Sequence, residues 1–124
     1  MKEFKELFKI QLDNQTKLLK LNSYDSECKS LPYDDIKIFS YQIQQLMSEI
    51  GEVLDSDKRW KNMRNKKYNR DDKLNELADC FIVLMNLVMF SGFSCNDILS
   101  EIEKKLTVFN DRINVEYNQN NLEE

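Results

Sequence analysis

Four carboxylates stand in two pairs, Glu49 with Glu52 in the run SEIGEV and Glu76 with Asp79 in NELADC. A spacing of i, i+3 puts both members of a pair on one side of a helix. The second pair opens a stretch that is otherwise apolar around its whole circumference, so its acids lie beside a core. Two like charges about 4 Å apart repel by about 4 kcal/mol at an effective dielectric of about 20. That is large against a domain stability of about 5–15 kcal/mol. Four carboxylates held together therefore need shared protons or a cation. An all-oxygen donor set suits Mg²⁺, with Mn²⁺ possible, better than zinc.

The elements that must position these pairs are helical. With only two glycines, one proline and 32% charged residues, the composition favours an all-α protein with long elements. At 124 residues the chain makes one domain. A first helix is expected from about Lys2 to Leu21, with Phe4, Leu7, Phe8, Leu12 and Leu19 inward. A polar linker from Asn22 to Tyr33, broken by Pro32, leads to a second helix capped near Asp34 and running to about Leu54. Its stripe is Ile36, Phe39, Ile43, Leu46, Ile50 and Val53. Glu49 and Glu52 fall at one edge of that stripe, and Gln42 and Gln45 read as a polar helix flank.

A hydrophilic stretch from Asp55 to Arg70 follows, rich in lysine and arginine and carrying Trp60 and Tyr68. Helix three is expected from about Asp71 to Phe90, stopped by Gly92. Its polar residues after Asn75 are Glu76, Asp79 and Asn86, all within an arc of about 80°. Asn86 either holds a ligand oxygen or satisfies a backbone carbonyl. Ser94 and Asp97 resemble a capping box for helix four, with Ile98, Ile102, Leu106, Phe109 and Ile113 inward. The domain is expected to span residues 1–113, with a polar, frayed tail over 114–124. If helices two and three run antiparallel, the two acidic pairs face each other. In a chain with 22 acidic residues a lone acidic pair is ordinarily a solvated helix face. Two pairs flanking one basic stretch point instead to a metal.

This constellation resembles the all-α nucleoside triphosphate pyrophosphatases, the superfamily of MazG-like enzymes and dimeric dUTPases. Glu49-Ile-Gly-Glu52 and Glu76-Leu-Ala-Asp79 are similar to its paired Glu-x-x-Glu and Glu-x-x-Asp elements, and Asn86 to an Asn that follows the second. Trp60-Lys61 is similar to an aromatic-Lys element of dUTPase-like members, and Gln11 and Asn14 to a Gln-x-x-Asn that contacts the base. Lys105 and Arg112 are similar to basic residues that members direct at phosphate. Ser48 stands where MazG-like members often carry a further glutamate. The resemblance covers roughly residues 38–112.

It implies a four-helix, bundle-like MazG/dUTPase-type fold assembled as a homodimer or tetramer. It also implies Mg²⁺-dependent hydrolysis of a nucleoside triphosphate to the monophosphate and pyrophosphate, on a deoxynucleotide such as dUTP or a non-canonical dNTP. In that reading Glu49, Glu52, Glu76 and Asp79 hold the metal, and Glu49 also activates the water. Lys61, Trp60, Asn86, Lys105, Arg112, Gln11 and Asn14 bind substrate. Two alternatives stand beside it, a phosphoribosyl-ATP pyrophosphatase-like enzyme and a non-catalytic helical adaptor.

The absence of histidine removes His-based metal sites, Ser-His triads and Cys-His dyads. Cys28, Cys80 and Cys95 form no zinc-type spacing, and their odd number fits a reducing, cytoplasmic home. The net charge of −4 argues against bulk nucleic-acid binding. The longest apolar run, Leu77 to Phe90, is interrupted by Asp79 and Asn86 and too short for a bilayer about 30 Å thick, so no membrane partner is expected.

Overall fold

Gly92 adopts a positive φ of 83°, and the chain turns there as its sequence predicts. The computed structural model describes residues 1–21, 35–63 and 67–122. Over these the protein is all-α: α1 (Phe4–Leu21), α2 (Ile36–Ser56), α3 (Arg70–Phe90) and α4 (Cys95–Leu122), with a short 3-10 helix at Lys58–Met63. The expected linker, with Pro32 and Cys28, lies outside the described residues, as does the cap expected at Asp34. The side chain of Asp35 caps α2, accepting from the N–H groups of Lys37 at 2.9 Å and Ile38 at 3.4 Å. Asn69 does the same for α3, from Asp71 at 2.9 Å and Asp72 at 3.3 Å. Two acids in that first turn also oppose the positive end of the helix dipole.

Residues Met1–Phe93 form one compact unit and Ser94–Glu124 a second. Inside the first, Phe8, Ile38, Val83, Met89 and Phe90 make the buried core. Helices α2 and α3 run antiparallel, since Gln42 meets Asn86 near one end and Asp57 meets Lys73 near the other. That register brings Glu49 and Glu52 level with Glu76 and Asp79.

The inward face of α2 is turned from the one its periodicity suggested. Ile36, Ile43 and Ile50 are exposed, while Ile38 is buried and Gln42 and Glu49 are half-buried beside Phe39, Leu46 and Val53. Helix α3 likewise covers one side only and leaves Leu74, Leu77, Phe81 and Leu84 exposed. A helix apolar all round gives hydrophobic burial no single preferred face, so partner geometry decides.

The second unit is α4. Ser94 and Asp97 form the expected box, with Asp97 N–H on Ser94 Oγ at 3.1 Å and Ser94 N–H on Asp97 Oδ2 at 2.9 Å. The backbone N–H of Ser94 holds the Asp97 carboxyl below its ordinary value. In place of a frayed tail from Asn114, the helix runs on through Leu122. Past Gly92 the chain has neither glycine nor proline, and each added residue of a nucleated helix gains a hydrogen bond at small cost. Among the described residues no single helix is long and apolar enough to cross a membrane.

Candidate metal centre and adjoining cleft

One carboxylate oxygen from each of Glu49, Glu52, Glu76 and Asp79 lies within 4.8 Å of the other three. Register and helical repeat do this together: each pair shares a face of its own helix, and antiparallel packing sets the two faces opposite. Gln45 Nε2 donates to Glu49 Oε1 at 2.8 Å. The other oxygen of Glu49 and one oxygen of Glu76 are buried without a hydrogen-bond partner. Such an arrangement costs free energy unless something positive occupies the gap. Among the described residues no lysine or arginine pairs with any of the four.

Glu52, on the exposed side, is held above its ordinary value. The main cause is the Glu76 side chain beside it; Glu49 opposes the shift, and the charges of Glu76 and Asp79 reinforce it. The Cys80 thiol is pushed up by burial and then by the charges of the four acids. The four clustered groups offer oxygen donors only, which matches the preferences of Mg²⁺ and Mn²⁺.

Two helical turns along, the same groove becomes neutral. A cleft of about 320 Å³ is lined by Glu49 and Asp79 at its charged end and by Gln15, Gln42, Ile82, Val83 and Asn86 beyond them. Asn86 is 6% exposed. Its Oδ1 accepts from Gln11 Nε2 at 2.8 Å, and its Nδ2 donates to Gln42 Oε1 at 3.1 Å. Asn14 Nδ2 reaches Gln11 Oε1 at 3.5 Å. Of the sequence candidates, Gln11 and Asn14 therefore come together with Asn86, which bonds to side-chain amides and not to a backbone carbonyl. Gln42 and Gln45, read as a polar flank, are instead bonded into the site. They lie seven and four residues before Glu49, on its own face of the helix, and that spacing was their only signal in the sequence.

The basic stretch is built differently. Arg59 pairs with Asp57 through Nε at 2.7 Å and a second guanidinium nitrogen at 2.6 Å, and lies 3.7 Å from the Tyr68 ring centre. Lys73 Nζ also reaches Asp57, at 2.9 Å. The Arg59 guanidinium and then Lys73 hold the Asp57 carboxyl far below the ordinary carboxylate range, against the opposing cost of burial. Arg59 is thereby committed to the fold. Trp60 donates its indole N–H to Leu54 O at 2.9 Å and stays 53% exposed, and Lys61 is exposed beside it. Lys105 and Arg112 belong to the second unit, where the Arg112 guanidinium lies 5.3 Å from the Phe109 ring centre.

No protein-family model, no curated protein and no solved structure matches this chain.

Proposed function

We propose that this protein is a Mg²⁺-dependent nucleoside triphosphate pyrophosphohydrolase, converting a (deoxy)nucleoside triphosphate and water to the monophosphate and pyrophosphate. The observation that carries this reading is the four-carboxylate cluster with two buried, unpartnered oxygens, opening onto a neutral amide-lined cleft. A site of one charge, with which no lysine or arginine among the described residues pairs, asks for a cation, and the cation in turn asks for an anionic substrate such as a polyphosphate.

Glu49, Glu52, Glu76 and Asp79 would hold the metal. When bound, Mg²⁺ neutralises phosphate charge and lowers the pKa of an attacking water. Glu49, fixed at one oxygen by Gln45, keeps its other oxygen free to take the proton from that water. Trp60 offers an exposed ring for stacking, and Lys61 beside it supplies charge for the phosphates. The exposed apolar faces of α2 and α3 support assembly as a homodimer or tetramer.

The test is to incubate the protein with each NTP and dNTP, and with dUTP, with and without Mg²⁺, and to measure pyrophosphate. Metal-dependent release on at least one substrate is expected, with a deoxynucleotide such as dUTP preferred. No release on any of them would end the enzymatic reading, and rates flat across the panel would end the dUTP preference.

A further inference from the structure

Asn86 has amides for partners on both sides. Gln11 stands on α1, Asn86 on α3 and Gln42 on α2, so the chain of bonds joins these three α-helices. A side-chain amide can be turned over, exchanging its donor for its acceptor, and each bond in such a chain fixes the next. Here the NH₂ of Asn86 is committed to the Gln42 oxygen. The Gln42 NH₂ is then left to donate, and among the described residues it donates to nothing. Gln42 and Asn86 both line the cleft.

Gln42 precedes Glu49 by two turns of α2 and Asn86 follows Asp79 by two turns of α3, a separation of about 10 Å from the carboxylates. One end of the cleft is anionic and suited to a metal-bound phosphate chain. Among the described residues the other is lined by amides with Ile82 and Val83, which do nothing to offset phosphate charge. It suits the neutral, planar, hydrogen-bonding part of a nucleotide, which is the base.

We propose that Gln42 is a positioning residue for base selection. By holding Asn86 in one amide orientation, it gives the neutral end of the cleft a fixed order of donors and acceptors. The inference rests on the nucleotide reading above. Uracil and cytosine have nearly the same shape but opposite donor and acceptor order along one edge: a carbonyl beside an N–H in the first, an amino group beside a bare nitrogen in the second. A cleft of fixed polarity separates them, whereas one whose amides turn over accepts both.

The experiment measures binding of the α,β-imido analogues of dUTP and dCTP with Mg²⁺, and pyrophosphate release from dUTP and dCTP themselves. The wild-type protein is expected to prefer one base by about tenfold or more. Gln42→Met, close in shape, is expected to bring the ratio to about threefold or less. Gln42→Glu keeps the oxygen to which Asn86 donates and is expected to hold most of the ratio. Selective binding without pyrophosphate release sinks the hydrolysis reading and supports the relay. Release with the same ratio in Gln42→Met sinks the relay and leaves the hydrolysis reading standing. A wild-type protein that binds neither analogue sinks both. Should Gln42→Met fail to fold, the Asn86 side-chain NH₂ of the wild-type protein decides by NMR. A single slowly exchanging pair that shifts with the preferred analogue supports the relay, and an averaged pair indifferent to both overturns it.

Discussion

Glu76 combines two features that conflict unless a proton is shared or a cation is bound: it sits among like charges, and one of its oxygens is buried with nothing to accept from. Replacing it with glutamine removes a charge and supplies an NH₂ to neighbouring carboxylates. The metal-free Glu76→Gln protein should therefore melt higher than wild type near neutral pH, opposite to the usual effect of altering a buried side chain. The gain from Mg²⁺ should move the other way. At a metal concentration about 100 times the dissociation constant, wild type gains about 2.7 kcal/mol. An affinity weakened about a hundredfold leaves the variant about 0.4 kcal/mol at that same concentration. Thermal melts of both proteins with Mg²⁺ and with a chelator check the two signs together. A variant that melts lower without metal and still gains as much with it would show the four acids to be a solvated cluster.

At the scale of elements, Asp57 ties the end of α2 to the 3-10 helix through Arg59 and to the start of α3 through Lys73. Its carboxyl lies below the ordinary value of 3.8 when folded. A group of that kind stabilises fully above its unfolded value, and the contribution is lost as pH falls toward the folded one. Asp57→Asn should thus lower the melting temperature by a few degrees near neutral pH, with wild type and variant converging in acid. Melts from about pH 7 to about pH 2 would reveal it, and a constant offset across that range would contradict it. The Asp57 link shows why only part of the architecture was legible in the sequence. The acidic pairs, the stop at Gly92 and the Ser94–Asp97 box are local, carried by residues three or four apart or by one backbone angle. The inward faces of α2 and α3 were not legible, because both helices are apolar on more than one side and only their mutual register chooses. Gln42 was missed for the same reason, its partner Asn86 being buried on another helix, whereas Gln45 bonds Glu49 one turn along its own helix, a local pair that its spacing already offered.

For the whole molecule, the exposed apolar residues have an order that scattered surface hydrophobics lack. Leu74, Leu77, Phe81 and Leu84 follow one another by three, four and three along α3, and are 63%, 38%, 63% and 43% exposed. That is the spacing of a helix–helix seam, and it lies on the side of α3 away from Val83 and Asn86, which the first unit buries. Helix α2 adds Ile36, Met47 and Ile50, at 73%, 68% and 54%. Ordered apolar faces of this extent mark an interface, and in a homo-oligomer the same seam serves on both copies. In the proposed homo-oligomer a second copy laid on α3 would also brace the helix that carries Glu76 and Asp79, which links assembly to the proposed metal site. Light scattering at micromolar concentration should therefore give two or four times the 14.9 kDa of one chain. Phe81→Lys places a charge in the middle of the seam and leaves the buried face of α3 untouched. It should bring the mass down to one chain with helicity unchanged, and should weaken the Mg²⁺-dependent rise in melting temperature as well. A wild-type protein that scatters as a single chain would sink the assembly, and an unchanged mass in Phe81→Lys would move the interface to the α2 face.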